Sequence, residues 1–278
     1  MAAGLGLARV DADDIGAKLA EFAEHEAVDA LADRGQQDHR RDADGDADTE
    51  ADAPAPEGDL FVADAGNHRV LFYPSPVTAA SNAVVFGQAS PNKGLLPNRN
   101  VGAAPIVGGG VNTPTGVAFD VGNQTVYVAD SQNNRVLALK VNNLSQINNP
   151  NNTGVIGQAD LMSRGQNCGA QGLTQPLAVS VEKATGRVAV TDSQNNRVML
   201  YPATLAGQMA VTANGVVGQM TLNGMGSGAG DAALSTPTMA RVIAGKLVVI
   251  DNGNRRMQIF NKVPDAGVNG SRADDTVG

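Results

Sequence analysis

The stretch DSQNNRV occurs at residues 130–136 and again, letter for letter, at 192–198. Two relatives lie outside this pair, DAGNHRV at 64–70 and DNGNRRM at 251–257. All four fit Asp-x-x-Asn-x-Arg followed by an apolar residue, which singles out Asp64, Asn67 and Arg69, then Asp130, Asn133 and Arg135, then Asp192, Asn195 and Arg197, then Asp251, Asn254 and Arg256. The Asp-to-Asp steps are 66, 62 and 59 residues. A period this long belongs to a structural unit repeated in tandem, with each copy burying its faces on its neighbours.

Each copy is flanked by two short runs rich in Val, Leu, Ile, Tyr and Phe: LFVAD and RVLFYP, TVYVAD and RVLALK, RVAVTD and RVMLYP, KLVVID and RMQIF. Residue types that favour strands on either side of types that tolerate tight turns make each motif a hairpin loop. Two more landmarks recur in phase. A proline-led run precedes the hairpin at Pro114, Pro176 and Pro237, and a Gly-Gln pair follows it at Gly87–Gln88, Gly157–Gln158 and Gly218–Gln219. One period therefore holds four strands: Pro-led, Asp-ended, Arg-led and Gly-Gln-ended. Tandem four-stranded antiparallel units are the blades of a β-propeller.

The Asp-x-x-Asn-x-Arg hairpin between two apolar strands resembles the NHL-repeat family of propellers, and the resemblance covers residues 59–278. The units fall at about 59–104, 105–170, 171–230 and 231–278, longer than the usual repeat of that family, with the excess in the Gly-Gln-to-Pro connections. The predicted fold is all-β: about four four-stranded antiparallel blades. The first unit begins at its second strand, giving three strands in that blade and four in each of the others. The resemblance implies a six-bladed ring, so an arc of four blades would need further blades or self-association to close.

Composition agrees with many short strands. The 278 residues include 33 glycines and 13 prolines but no tryptophan, and 42% are hydrophobic, so the core must be mostly aliphatic. Charge divides the chain. Residues 1–58 carry sixteen acids against five bases, net −11, and residues 59–278 carry twelve against fifteen, net +3. The front segment reads as a short amphipathic helix within 11–33, with Ile15, Leu19, Phe22 and Leu31 at helical spacing, followed by a disordered acidic linker ending in Pro-Ala-Pro. Cys168 stands alone, which excludes an intramolecular disulfide. No apolar run reaches the roughly 18–20 residues of a membrane span. The opening residues show no standard signal peptide. The compartment stays open, an extracellular or cell-surface one included if the N-terminus is incomplete.

Candidate chemistry is sparse. A feature needed once per blade, whatever the blade's place, reads as architecture, so the Asp/Asn/Arg triplets are assigned to turn closure and inter-blade bridging. The acidic run 42–52 has oxygen ligands at alternating positions, a weak calcium pattern, but Ala47 and Ala53 stand where an EF-hand needs Gly and Glu. No cofactor is expected. The resemblance also implies relatives with lyase or lactonase activity that hold a divalent cation in the channel by His or by Glu, Asn and Asp. Of the three histidines only His68 falls in the propeller, at a variable motif position where an exposed side chain is expected. Some members of the family bind RNA through a strongly basic face. A net charge of +3 with few aromatics makes nucleic acid a minor alternative. The leading expectation is a non-catalytic scaffold binding a protein or other macromolecule through the face where the hairpins and the long Gly-Gln connections emerge, with Gln88, Gln158 and Gln219 among its loop residues. The opposite face, carrying the third-to-fourth-strand links, is expected to be merely solvated.

Overall fold

The computed structural model describes residues 60–73, 84–87, 110–140, 153–203 and 207–278. The expected helix at 11–33, the acidic linker and the 42–52 run lie outside these residues, as does Gln88. The first sheet has three strands, β1 (Leu60–Asp64), β2 (Arg69–Tyr73) and β3 (Val84–Phe86). The second is β4 (Pro114–Asp120), β5 (Thr125–Asp130), β6 (Arg135–Lys140) and β7 (Thr153–Ile156). The third is β8 (Pro176–Val181), β9 (Val188–Asp192), β10 (Arg197–Tyr201) and β11 (Gly215–Val217). The fourth uses β12 (Met239–Ile243), β13 (Lys246–Asp251), β14 (Arg256–Phe260) and β16 (Asp275–Val277). The chain is thus a four-bladed β-propeller assembly of antiparallel sheets. This corrects the six-bladed expectation: the blade count follows the four hairpins, and the described residues supply no others.

Alternation along each strand explains the continuous apolar runs. On β5, Val126 and Val128 turn towards the first sheet, whereas Tyr127 and Ala129 turn towards the third, and all six residues of the strand are buried. A strand covered on both faces has no polar side to show in its sequence. Three apolar clusters fill the three junctions: Val70, Phe72 and Phe86 with Val126, Val128, Leu137 and Val155; Tyr127, Ala129, Val136 and Ile156 with Val190, Met199, Tyr201 and Val216; and Val198, Leu200 and Val217 with Ala240, Leu247, Val249 and Phe260. The first strands β4, β8 and β12 pack side by side; β4 and β8 begin at their prolines, whereas β12 begins two residues after Pro237. Their closeness depends on a small residue: a Cβ on Gly116 would lie 3.0 Å from Ala178 Cα, tighter than nearly all real contacts.

The outer edges are covered by a device the sequence reading missed. β15 (Asn269–Ser271), from the link between β14 and β16, pairs in parallel with β11 of the preceding sheet. One blade earlier, Val211 from the link between β10 and β11 bridges in parallel to Ile156 on β7, and Val155 donates to the Gln208 carbonyl at 2.8 Å. The third-to-fourth-strand links of these two blades are therefore not merely solvated. Each satisfies backbone groups on the outer strand of the blade before it, which would otherwise be an open edge. The Asn-rich link 141–152 lies outside the described residues.

Candidate functional site

The four hairpins are built alike. Asp and Arg face each other across each pair, Asp64 with Arg69, Asp130 with Arg135, Asp192 with Arg197 and Asp251 with Arg256. Between them runs a three-residue 3-10 turn and then one left-handed residue, His68, Asn134, Asn196 or Arg255, with φ of 52–54°.

In the second blade Asp130 Oδ2 accepts Arg135 Nε at 2.7 Å and Asn133 Nδ2 at 2.8 Å, while Oδ1 accepts the backbone N–H of Asn112 at 2.6 Å. The third repeats this with Arg197, Asn195 and Thr174 at 2.7, 2.9 and 2.7 Å, and the fourth with Arg256, Asn254 and Ser235 at 2.8, 2.7 and 2.7 Å. Asp64 accepts Arg69 Nε at 2.6 Å and Asn67 Nδ2 at 3.0 Å. Burial pushes the Asp130 and Asp192 carboxyls upward, against the charges of Arg135 and Arg197 and the hydrogen bonds they accept. At Asp64 burial is again the largest single influence and acts upward, but the hydrogen bonds from Arg69 and Asn67 and the Arg69 charge together outweigh it and hold the carboxyl below its ordinary value.

The remaining guanidinium nitrogens reach the long connections. Arg135 donates to the Leu161 carbonyl in the outgoing connection and to Gly110, at 2.8 Å, in the incoming one. Arg197 donates to Leu222 on one side and to Cys168 and Gly172, at 2.9 and 3.0 Å, on the other. Arg256 holds Ala229, Gly230 and Ala233 of its incoming connection at 2.8, 2.8 and 2.9 Å. A planar fork of five donors suits this multiple capture of carbonyls better than an ammonium.

Gln158 and Gln219 are buried within the loops they begin. Gln158 Nε2 donates to Asn134 and Gly165 carbonyls at 2.8 and 2.7 Å, and Gln219 Nε2 to Asn196 and Gly226 at 2.9 and 2.7 Å. This makes Gly-Gln-x-x-Leu-x-x-x-Gly a repeated pattern at 157–165 and 218–226, legible in the sequence but not read there. An apolar residue three places before the proline, Val111, Leu173 or Leu234, recurs in the same way and is fully buried.

A second missed position is the left-handed residue. His68 Nδ1 accepts the Thr113 N–H at 3.0 Å, Asn134 Oδ1 that of Gln175 at 2.9 Å, and Asn196 Oδ1 that of Thr236 at 2.8 Å. Each of these three hairpins thus ties the segment that leads into the next blade's first strand. His68 is half-buried and bonded, not simply exposed as its variable position suggested. Since asparagine does this work in two other blades, His68→Asn is expected to preserve the chemical-denaturation midpoint. His68→Ala should lower stability by about 1 kcal/mol, and equal effects of the two changes would show that the acceptor is unimportant.

The fixed connections open two clefts one blade apart. The first, of about 430 Å³, is lined by Gln158, Ser163, Arg164, Gln166, Asn167 and Gln171. The second, of about 480 Å³, is lined by Gln219, Met220, Gly226, Asp231, Ala233 and Arg272. Met162, Met220 and Met225 on these connections are each more than half exposed. Among the described residues no three His, Cys, Asp or Glu side chains converge where a metal ion could sit. No helix among them is long and apolar enough to cross a membrane.

Residues 111–139 match the NHL repeat family, a span that contains the second hairpin, all of β5 and all but the last residue of β6. The resemblance is thus shown at the second of the four motifs. No curated protein matches the sequence. Among solved structures, the chain is similar to an auxiliary nutrient binding protein from Bacteroides thetaiotaomicron at 12% identity and a TM-score of 0.48, covering 74% of this chain and 45% of that one. It is similar to a streptogramin B lyase at 9% identity and a TM-score of 0.43, covering 77% and 54%. It is also similar to the hydrazine synthase of Kuenenia stuttgartiensis at 12% identity and a TM-score of 0.41, covering 78% and 49%. The chain spans about half the length of these structures.

Proposed function

We propose that the protein is a non-catalytic NHL-like scaffold that binds a protein or other macromolecule through the face formed by its long connections. The supporting observation is the pair of equivalent, internally bonded connections with a cleft at each and three exposed methionines around them. Rigidly held loops offer a ligand a surface already ordered, so less entropy is lost on binding. Methionine is suited to such contacts because its unbranched, polarizable side chain adapts to varied apolar partners. In this reading the Asp/Asn/Arg triplets serve the scaffold, and Gln158 and Gln219 shape the clefts from within.

The test is cross-linking of the full chain to its ligand in an extract of the source cells, with the linked residues mapped. Links are expected within 158–172 and 219–234, and the triple substitution Met162→Lys, Met220→Lys, Met225→Lys should abolish them at an unchanged melting temperature. Links confined to the opposite face, around 121–124, 183–186 and 261–267, would refute the proposed surface. A divalent-cation-dependent turnover of a small substrate would favour instead the lyase or hydrolase alternative.

A further inference from the structure

We propose that the outer side of the fourth sheet is the seat of this chain's own acidic segment, residues 11–33, in place of a fifth blade.

The three internal junctions define what a following blade requires. Its Pro-led strand must approach the preceding one closely, and the residues that permit this are small: Gly116 and Ala178 opposite the residue before the hairpin Asp, then Ala118 and Ser180 two places on. Ser180 Oγ also accepts the Val242 N–H at 2.9 Å. On β12 the same two register positions hold Met239 and Arg241, both exposed. A following blade must also find an acceptor at the left-handed hairpin residue, which His68, Asn134 and Asn196 supply. The fourth hairpin has Arg255 there, and a guanidinium only donates. A blade of the same kind would thus meet a thioether and a guanidinium where it needs room, and a donor where its own N–H needs an acceptor.

The rest of that side is nevertheless built for cover. Ile243, Val248, Ile250, Met257, Ile259 and Val277 form one apolar cluster, and Val248, Met257, Ile259 and Val277 are buried although no other described sheet packs broadly on them. Among the described residues, Arg241 and Lys246 share the register side of this cluster, Arg255 stands exposed in the hairpin beside it, and Asp275 is on the same side of β16. What suits it is an apolar stripe carried on an acidic backing. Residues 11–33 have that character: Ile15, Leu19, Phe22 and Leu31 at helical spacing, with eight acids against Lys18 alone. The following residues, 34–59, can span up to roughly 80 Å when extended, enough to lead from that segment to the start of β1 across a domain of this size.

The full chain treated with a zero-length carbodiimide reagent tests this, because Lys246 would lie beside carboxylates of the docked segment. The expected product is an intramolecular link from Lys246 to an acid within 11–33, located by peptide mass spectrometry. Leu19→Asp with Phe22→Asp, and separately Arg241→Glu with Arg255→Glu, should reduce it to background without changing the β-sheet circular dichroism. Should either pair fail to fold, raising the salt concentration on the parent chain gives the same reading, since a charge-guided contact weakens with screening. Absence of the link in the parent, or a link that survives both pairs and salt, overturns the proposal. A link found only between differently isotope-labelled molecules would assign the surface to a second copy and overturn it as well.

Discussion

Replacing Arg197 with alanine is expected to lower the free energy of unfolding by about 3–5 kcal/mol, the range for removing one partner of a buried ion pair. Arg197 and Asp192 are both inaccessible to solvent, so the substitution strands a carboxylate that water cannot reach. It also deprives the Leu222, Cys168, Gly169 and Gly172 carbonyls of a donor. Those carbonyls belong to the connections before and after the third blade, so both clefts should loosen as the sheet weakens. Arg69→Ala is the control. Its ion pair is chemically the same but less buried, with side chains 12% and 23% exposed, so its loss should cost clearly less. Arg197→Lys should not rescue the loss, because one ammonium cannot hold carbonyls on two loops while pairing with Asp192. Urea titrations followed by circular dichroism measure all three. Similar losses at Arg69 and Arg197 would show that burial is not what gives the clamp its effect.

The parts of this architecture that could be read from the sequence are those repeated in all four units. Asp64, Asp130, Asp192 and Asp251 set the period, and the apolar runs beside them gave the strands. The contributions of Asn134, Asn196 and His68 were hidden because two residue types share one task. An imidazole nitrogen and an amide oxygen both accept a hydrogen bond, but as letters they do not match. The Gly-Gln connections were visible as landmarks and as a loop face, but nothing in Leu161 or Leu222 shows that its backbone carbonyl is held by an arginine in a hairpin 26 or 25 residues away. β15 was invisible for a related reason. NGS has no strand signature of its own, and it pairs because the preceding blade presents an unfilled edge. On the fourth sheet the departures carry the information: Met239, Arg241 and Arg255 break rules that become apparent only once the other three junctions are compared.

The glycine of the Gly-Gln pair is where local conformation and packing act together, and Gly157→Ala is expected to be among the most damaging single-methyl additions in the chain. Gly157 has φ of +89°, and Gly218 repeats it at +87°. Left-handed backbone costs a residue with a Cβ about 1–2 kcal/mol. The added carbon would also stand 2.6 Å from Leu173 Cδ1 and 2.7 Å from its Cγ, and overpacking of this kind costs about 1–3 kcal/mol. The two contributions can be separated. Leu173→Ala removes the obstructing atoms, so in the double variant the packing part should vanish while the backbone part remains, and the losses should be sub-additive by about 1–2 kcal/mol. Gly165→Ala, in the same connection but with open space at its Cβ and no positive φ, should be nearly neutral. Full additivity of Gly157→Ala and Leu173→Ala would mean that Leu173 moves aside at no cost, leaving the backbone as the sole reason for glycine at the start of each connection. Sub-additivity would mean that the buried leucine or valine three residues before each proline and the glycine that ends each outer strand act as a pair. That pairing fixes where one blade stops and the connection to the next begins.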